Sequence, residues 1–528
     1  MSSIVQGYFA GALRLLGLSA AEDLSEEQVD TIEYLHLHPL PINYATRQQL
    51  ISSDLLTDFQ AASIIDYISH NGPVLSLAEF SAVPGIGMER ARDLSWFVTF
   101  DCDFPYSGVS GRRKLRYDIS MLNGVSHKSL PDGSVQTACS SLLKAKASGP
   151  MGLNFGLSAR SSLSAAYLSF EGRRLARAVV GDFNVRWGQG LVVWSGMSLA
   201  GVSSVDAFCR SPTGICPTNS SMPGFRGAAA RVDLGKVSVQ GFWAEKGIQG
   251  LHAEYLTSRS LWGASAVRTD DFCSVGADYK GTVGKFSIFA EGVIQVIPSR
   301  SVSVCGVGGV LYNIGYRKRA GVLLRSYSSG FDASMSGAVR WSGKCRDEFG
   351  VAVGAQFGGF LFTADYSRKV SEQTDRLKAK AIYSGNFEVL ECNFSPKVEY
   401  HFKYDGMSRN EIRVSGGMER GSIMLNVRGQ WCISGGQAGM LAAAESGMRS
   451  GGTSVSVRGV YFNTSSWTSR LYCYARDVPG SFSVPAYYGE GFEVSLYAGC
   501  RLIAGRVGYV FARSRYHRLE FKLYLRLG

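Results

Sequence analysis

Arg518-Leu519-Glu520-Phe521-Lys522-Leu523-Tyr524-Leu525-Arg526-Leu527 places large apolar side chains at every odd position and charged or hydroxylated ones at every even position. Successive side chains of a strand point to opposite faces, so this stretch is a strand with one apolar and one polar face. The same period runs through the sequence before it. Val398, Tyr400, Phe402 and Tyr404 alternate with Lys397, Glu399, His401 and Lys403; Leu115, Tyr117, Ile119 and Met121 alternate with Lys114, Arg116, Asp118 and Ser120. From Arg112 onward no helical period interrupts it.

Alternation alone also suits a soluble sandwich, so length and number decide. Segments of roughly 9 to 12 residues, each able to cross a tilted bilayer, recur for over about 400 residues without a linker. The composition agrees: 63 Gly and 12 % aromatics favour strands and tight turns, 14 Pro are few enough for central strands, and 19 % charged residues are too few for long surface helices. Apolar runs stop short of a helical membrane span, while a barrel hides its apolar half at every second position, which fits the mean hydropathy of +0.01. At roughly 16 residues per strand and turn, the reading is mainly β: a large transmembrane antiparallel β-barrel of about 22–28 strands spanning residues 105–528. A barrel that wide has a lumen to be plugged or used.

Before it, residues 22–104 read as a small all-α domain. Ser25-x-x-Gln28, Thr46-x-x-Gln49, Thr57-x-x-Gln60 and Ser76-x-x-Glu79 are four capping boxes, Pro39, Pro41 and Asn71-Gly72-Pro73 are stops, and Pro84-Gly85-Ile86-Gly87 opens a fifth helix. Ala61, Ile64, Ile65 and Ile68 recur at helical spacing and are expected to supply the packed face of the domain. Residues 1–21 read as a candidate signal peptide: Ile4 to Ala20 is mostly apolar and closes on Leu18-Ser19-Ala20-Ala21, although no Lys or Arg precedes it and Arg14 interrupts it. The eleven cysteines show no C-x-x-C; most sit singly in strand-like runs, and Cys209 with Cys216, in one loop, are the plausible pair.

The helical part resembles the tandem helix-hairpin-helix domain of the ComEA type, on Pro41-Ile42-Asn43-Tyr44-Ala45-Thr46, on Ala61 to Ile68 ending in Asn71-Gly72-Pro73, on Ser76-Leu77-Ala78-Glu79-Phe80, and on Val83-Pro84-Gly85-Ile86-Gly87. The resemblance implies DNA-phosphate binding without sequence readout at Gly85, Ile86 and Gly87, where backbone N–H groups meet a helix N-terminus, with Arg90 and Arg92 as supporting cations. The first hairpin departs from the family: Ser52 to Asp58 has no Gly and carries two carboxylates.

The barrel part resembles a group of Bacteroidetes outer-membrane proteins in which such a module precedes a large barrel, on Val179 to Trp194 and on Phe225-Arg226-Gly227-Ala228-Ala229. In that segment Asp182, Arg186 and Gln189 are expected to face the lumen or pair with each other, and its glycines to permit a tight turn.

Enzyme motifs are absent from the sequence: H-E-x-x-H, G-x-S-x-G and a P-loop do not occur, Gly188-x-Gly190 has no following helix, and no nucleophile is placed beside His401 or His517. His36-x-His38 is read as solvated or capping rather than metal-binding. The expectation is therefore a non-enzymatic protein without catalytic residue, metal or cofactor, embedded in outer-membrane lipid and lipopolysaccharide, porin-like, with its helical domain in the periplasm. Two readings of that domain stay open: it binds DNA for handling or uptake, a partner that the net charge of +12 would suit, or it docks a periplasmic protein or plugs the lumen of a structural or translocation barrel.

Overall fold

A computed structural model describes residues 4–18, 21–101, 116–149, 152–172, 175–198, 200–220, 224–298, 302–481, 484–513 and 515–527. Among the described residues, 24 antiparallel strands close into one barrel. The ring shuts by pairing Arg116–Ser129 with Tyr516–Leu527, in a register that runs from Ile119 opposite Leu527 to Ser129 opposite His517. The strands run from 7 to 14 residues, and their two faces separate as the alternation predicts. Along Phe286–Val296, Phe286, Ile288, Ile294 and Val296 are exposed while Phe289, Glu291, Val293 and Gln295 are buried in the lumen.

The outer wall is apolar and girdled. Near the rim where both barrel termini lie, cross-strand aromatics pair on the outside: Trp262 with Tyr279 (centroids 4.5 Å apart), Phe286 with Tyr312 (5.0 Å) and Phe360 with Tyr383 (4.7 Å). Phe492 and Phe511 (5.4 Å) do the same near the opposite rim, where Trp431 is half exposed. An apolar band between aromatic belts suits a bilayer, with ring bodies in the acyl region and polar edges at the headgroups.

Connections at the terminal rim are short, whereas three at the opposite rim are long: 187–224, 328–347 and 465–489. These fold inward. Trp187, Val193, Phe208 and Phe331, all from the first two, are buried among lumen-wall residues such as Phe289, Leu323 and Ala352, and Trp341 is fully buried as well. Cys209 and Cys216, the plausible bridge of the sequence reading, are free thiols. Cys209 follows a short 3-10 turn and its thiol donates to Arg210 O, whereas Cys216 lies on a short strand with its thiol against Ser52 and Thr213 O.

Among its described residues the helical part has six helices: α1 (Ile4–Leu15), α2 (Glu26–Leu37), α3 (Arg47–Ile51), α4 (Asp58–Asn71), α5 (Leu77–Ala82) and α6 (Gly87–Leu94). The boxes at Ser25, Thr46 and Thr57 form reciprocally. At Ser76 only half forms, because Glu79 reaches one residue further, to Leu75 N at 2.9 Å. A core of its own, including Ile32, Leu50, Ile64, Phe80 and Leu94, holds the module, and Ala12 and Leu15 of α1 pack into it.

Candidate functional site: the module in the barrel mouth

The module sits in the terminal mouth of the barrel and is fastened to the lumen wall around the ring. Glu22 pairs with Arg428 at 2.5 Å, Glu27 with Arg186 at 2.6 Å, Asp23 with Lys380 at 3.7 Å and Asp30 with Lys144. Hydrogen bonds without an opposing charge fill the gaps. Gln48 donates to Thr213 O (2.8 Å), Gln49 to Glu171 (2.8 Å), Arg177 to Ser52 Oγ (3.1 Å), and Tyr316 to Asp93 (2.7 Å). Those four ion pairs tie one short acidic stretch to four separate sectors of the wall.

Charge is segregated between the two parts. Residues 22–104 hold 14 acidic and only 3 basic side chains, so the net +12 of the chain belongs to the barrel. Burial works against the charge of Glu22, yet Arg428 outweighs it and holds the carboxyl below its usual range. Glu33 goes the other way: burial, with Asp30 beside it, pushes it up to about 7.

The residues singled out from the sequence fall into place unevenly. Gly85 and Gly87 adopt φ of +83° and +71° and are exposed, with open space where a Cβ of Gly87 would stand; Ile86 is buried in the module core. Arg92 is exposed beside them. Arg90 lies with its guanidinium 4.9 Å over the Tyr316 ring and donates to Gln60 Oε1 (3.5 Å), whose amide in turn donates to Gly85 O (3.0 Å). The hairpin thus exposes both glycines, but its Ile86 N–H is spent on Val83 O (3.1 Å), and of its two cations only Arg92 is exposed.

Asp182, Arg186 and Gln189 are all buried, and they do not pair with each other. Asp182 takes a bidentate contact from Arg226 (2.9 and 3.0 Å), Arg186 bridges to Glu27 and Asp54, and Gln189 Oε1 accepts from Arg210 N (2.8 Å). His36 is not solvated: it stacks on Tyr8 at 4.0 Å, while His38 caps α2 with its backbone N–H.

Glu291, which an ordinary alternating strand gave no reason to choose, holds the inner loop. Its carboxylate accepts from the N–H groups of Gln189 (2.7 Å), Leu191 (3.0 Å) and Val192 (3.2 Å), where Gly188 and Gly190 carry positive φ. Trp187, fully buried, stacks on His252 at 5.0 Å in the same turn. Between module, loops and wall lies a cavity of about 1240 Å³.

No family model and no curated protein matches the chain. Solved barrels do. A chain of the E. coli P pilus tip assembly intermediate PapC-PapD-PapK-PapG is 12 % identical with a TM-score of 0.50, over 80 % of this chain and 62 % of that one. The P pilus usher (PapC) translocation pore is 11 % identical with a TM-score of 0.43, over 78 % of this chain and 99 % of that one. Pseudomonas aeruginosa OpdQ is 8 % identical with a TM-score of 0.31, over 78 % and 97 %. At these identities the similarity is one of fold.

Proposed function

We propose that the chain is an outer-membrane channel closed by its own helical module, which acts as a plug and must shift for solute to pass. The observation that carries this reading is the ring of four ion pairs from Glu22, Asp23, Glu27 and Asp30 to four sectors of the lumen wall. Short turns mark the periplasmic rim of such barrels and long loops the outer one, so the module faces the periplasm. Its uncovered side, with Ile65, Leu75 and Met88 exposed, is the surface on which a periplasmic protein would pull or push.

Glu33 supplies the test. A carboxyl held near 7 when docked, against an ordinary 4.5, favours docking while it carries its proton. That contribution is whole below pH 4.5 and is lost as pH rises through about 7, an effect on the order of 1–2 kcal/mol after allowance for water at a half-buried site. Conductance of the full chain in planar bilayers is therefore expected to rise from pH 5 to pH 8, and the rise to flatten in Glu33→Gln. A pH-independent conductance in both proteins would remove the support of Glu33 from the plug reading.

The exposed hairpin at Gly85 and Gly87 favours a second reading, DNA handling at the periplasmic mouth. Against it stand the 14 acidic side chains of the module and the engagement of Arg90 with the Tyr316 ring and Gln60. Phosphate contacts show affinity falling steeply with salt. The expected result is no retention of duplex DNA by the full chain even at low salt; salt-sensitive retention that Gly85→Asp abolishes would establish the DNA reading instead.

A further inference from the structure

Most lumen arginines are matched by carboxylates, as Arg325 is by Glu348 (2.5 Å) and Asp365 (2.7 Å). Arg210 and Arg340 are not: among the described residues neither has a carboxylate within ion-pair distance. Arg210, from the loop 187–224, lines the large cavity with its guanidinium 5.3 Å over the Trp194 ring, and it donates to Ser198 Oγ at 3.1 Å. Arg340, from the loop 328–347, donates to the same oxygen at 3.1 Å and otherwise only to backbone carbonyls. Ser198 spends its own proton on Gly337 O.

Two guanidiniums thus converge on one neutral oxygen. The Nε of Arg210 is buried without a partner. Gly201 N donates to Arg340 O (2.7 Å), and further along the same cavity Lys378 Nζ donates to Trp341 O (2.7 Å), with Asp365 as a neighbouring opposite charge. Carbonyl dipoles satisfy N–H groups but do not cancel charge, so the cluster is short of an anion. Burial and the repulsion of Arg340 together bring Arg210 down to about 10. Planar guanidiniums present paired donors matched to oxyanions, and the cavity that Ser198 and Arg210 line gives such a group room to enter.

We propose that Arg210, Arg340 and Ser198 form a binding site for a small dianionic oxyanion of the phosphate type, on the path that the plug covers, with Lys378 further along the same cavity. The site does not depend on plug motion, because the cavity exists in the closed barrel.

The test is calorimetric titration of the full chain in detergent with inorganic phosphate at constant ionic strength, with acetate and chloride as weaker and null competitors. One saturable phosphate site is expected, weakened at least ten-fold in Arg210→Gln and in Arg340→Gln, weakened less in Lys378→Gln, and unchanged in Arg470→Gln on the third long loop. Arg210→Lys, which keeps the charge, reports on the site if the glutamine variant does not fold; it should retain phosphate binding with a loss of several-fold. No saturable binding by the wild type, or wild-type affinity in both arginine variants, overturns the site. Because no current is measured, failure here is separate from failure of the plug.

Discussion

Full chain carrying Glu22→Gln, Glu27→Gln and Asp30→Asn is expected to conduct through long-lived open states in planar bilayers, where the wild type stays mostly closed. Each substitution leaves Arg428, Arg186 or Lys144 on the wall facing a neutral amide. These pairs are partly buried, so each is worth roughly 1–3 kcal/mol, between the limits for exposed and fully buried pairs. About 5.5 kcal/mol separates a state populated at 1 % from one populated at 99 %, so three losses together suffice to reverse the preference. The three carboxylates lie outside the apolar core of the module, so its fold should survive, which far-UV circular dichroism checks. Asp66→Asn, on the exposed side of α4, is the matched control and should leave the barrel closed. A triple variant that stays as closed as the wild type would sink the electrostatic plug.

The fold was legible because its signals are local. Alternation along Arg518 to Leu527 requires only neighbouring residues, and a cap such as Thr57 with Gln60 closes within one turn. The strand number followed from length, with 24 inside the expected 22 to 28. The seat of the module was not legible, because Glu22 meets Arg428 across 406 residues and no periodicity reports such a pair. One signal was available and was averaged away: a net charge of +12 conceals an acidic first fifth beside a basic remainder. Mutual pairing of Asp182 and Arg186 fails for a geometric reason, since residues four apart on a strand stand about 13 Å from each other. Each therefore had to find a partner elsewhere, Arg226 for one and a carboxylate of the module for the other.

Glu291→Ala should be the most damaging single change in the barrel. Three buried N–H groups, of Gln189, Leu191 and Val192, lose their only charged acceptor at once. An unsatisfied buried donor costs about 1–3 kcal/mol, so the loop 187–224 stands to lose several kcal/mol of its anchorage. Those residues join the barrel core to the module, since Trp187 and Val193 are fully buried and Arg186 beside them grips Glu27. The variant should show earlier protease cleavage within 187–224 and a conductance above that of the wild type, with the ring of strands intact because its ladder hydrogen bonds are untouched. Glu291→Gln keeps one carbonyl acceptor but turns an NH2 toward three donors, and should fall between the two. Gly292→Ala, whose added methyl meets open space on the outer face, should behave as wild type. A Glu291→Ala loop as protease-resistant as the wild type would mean that packing of Trp187 on His252, rather than the carboxylate, sets the inner turn.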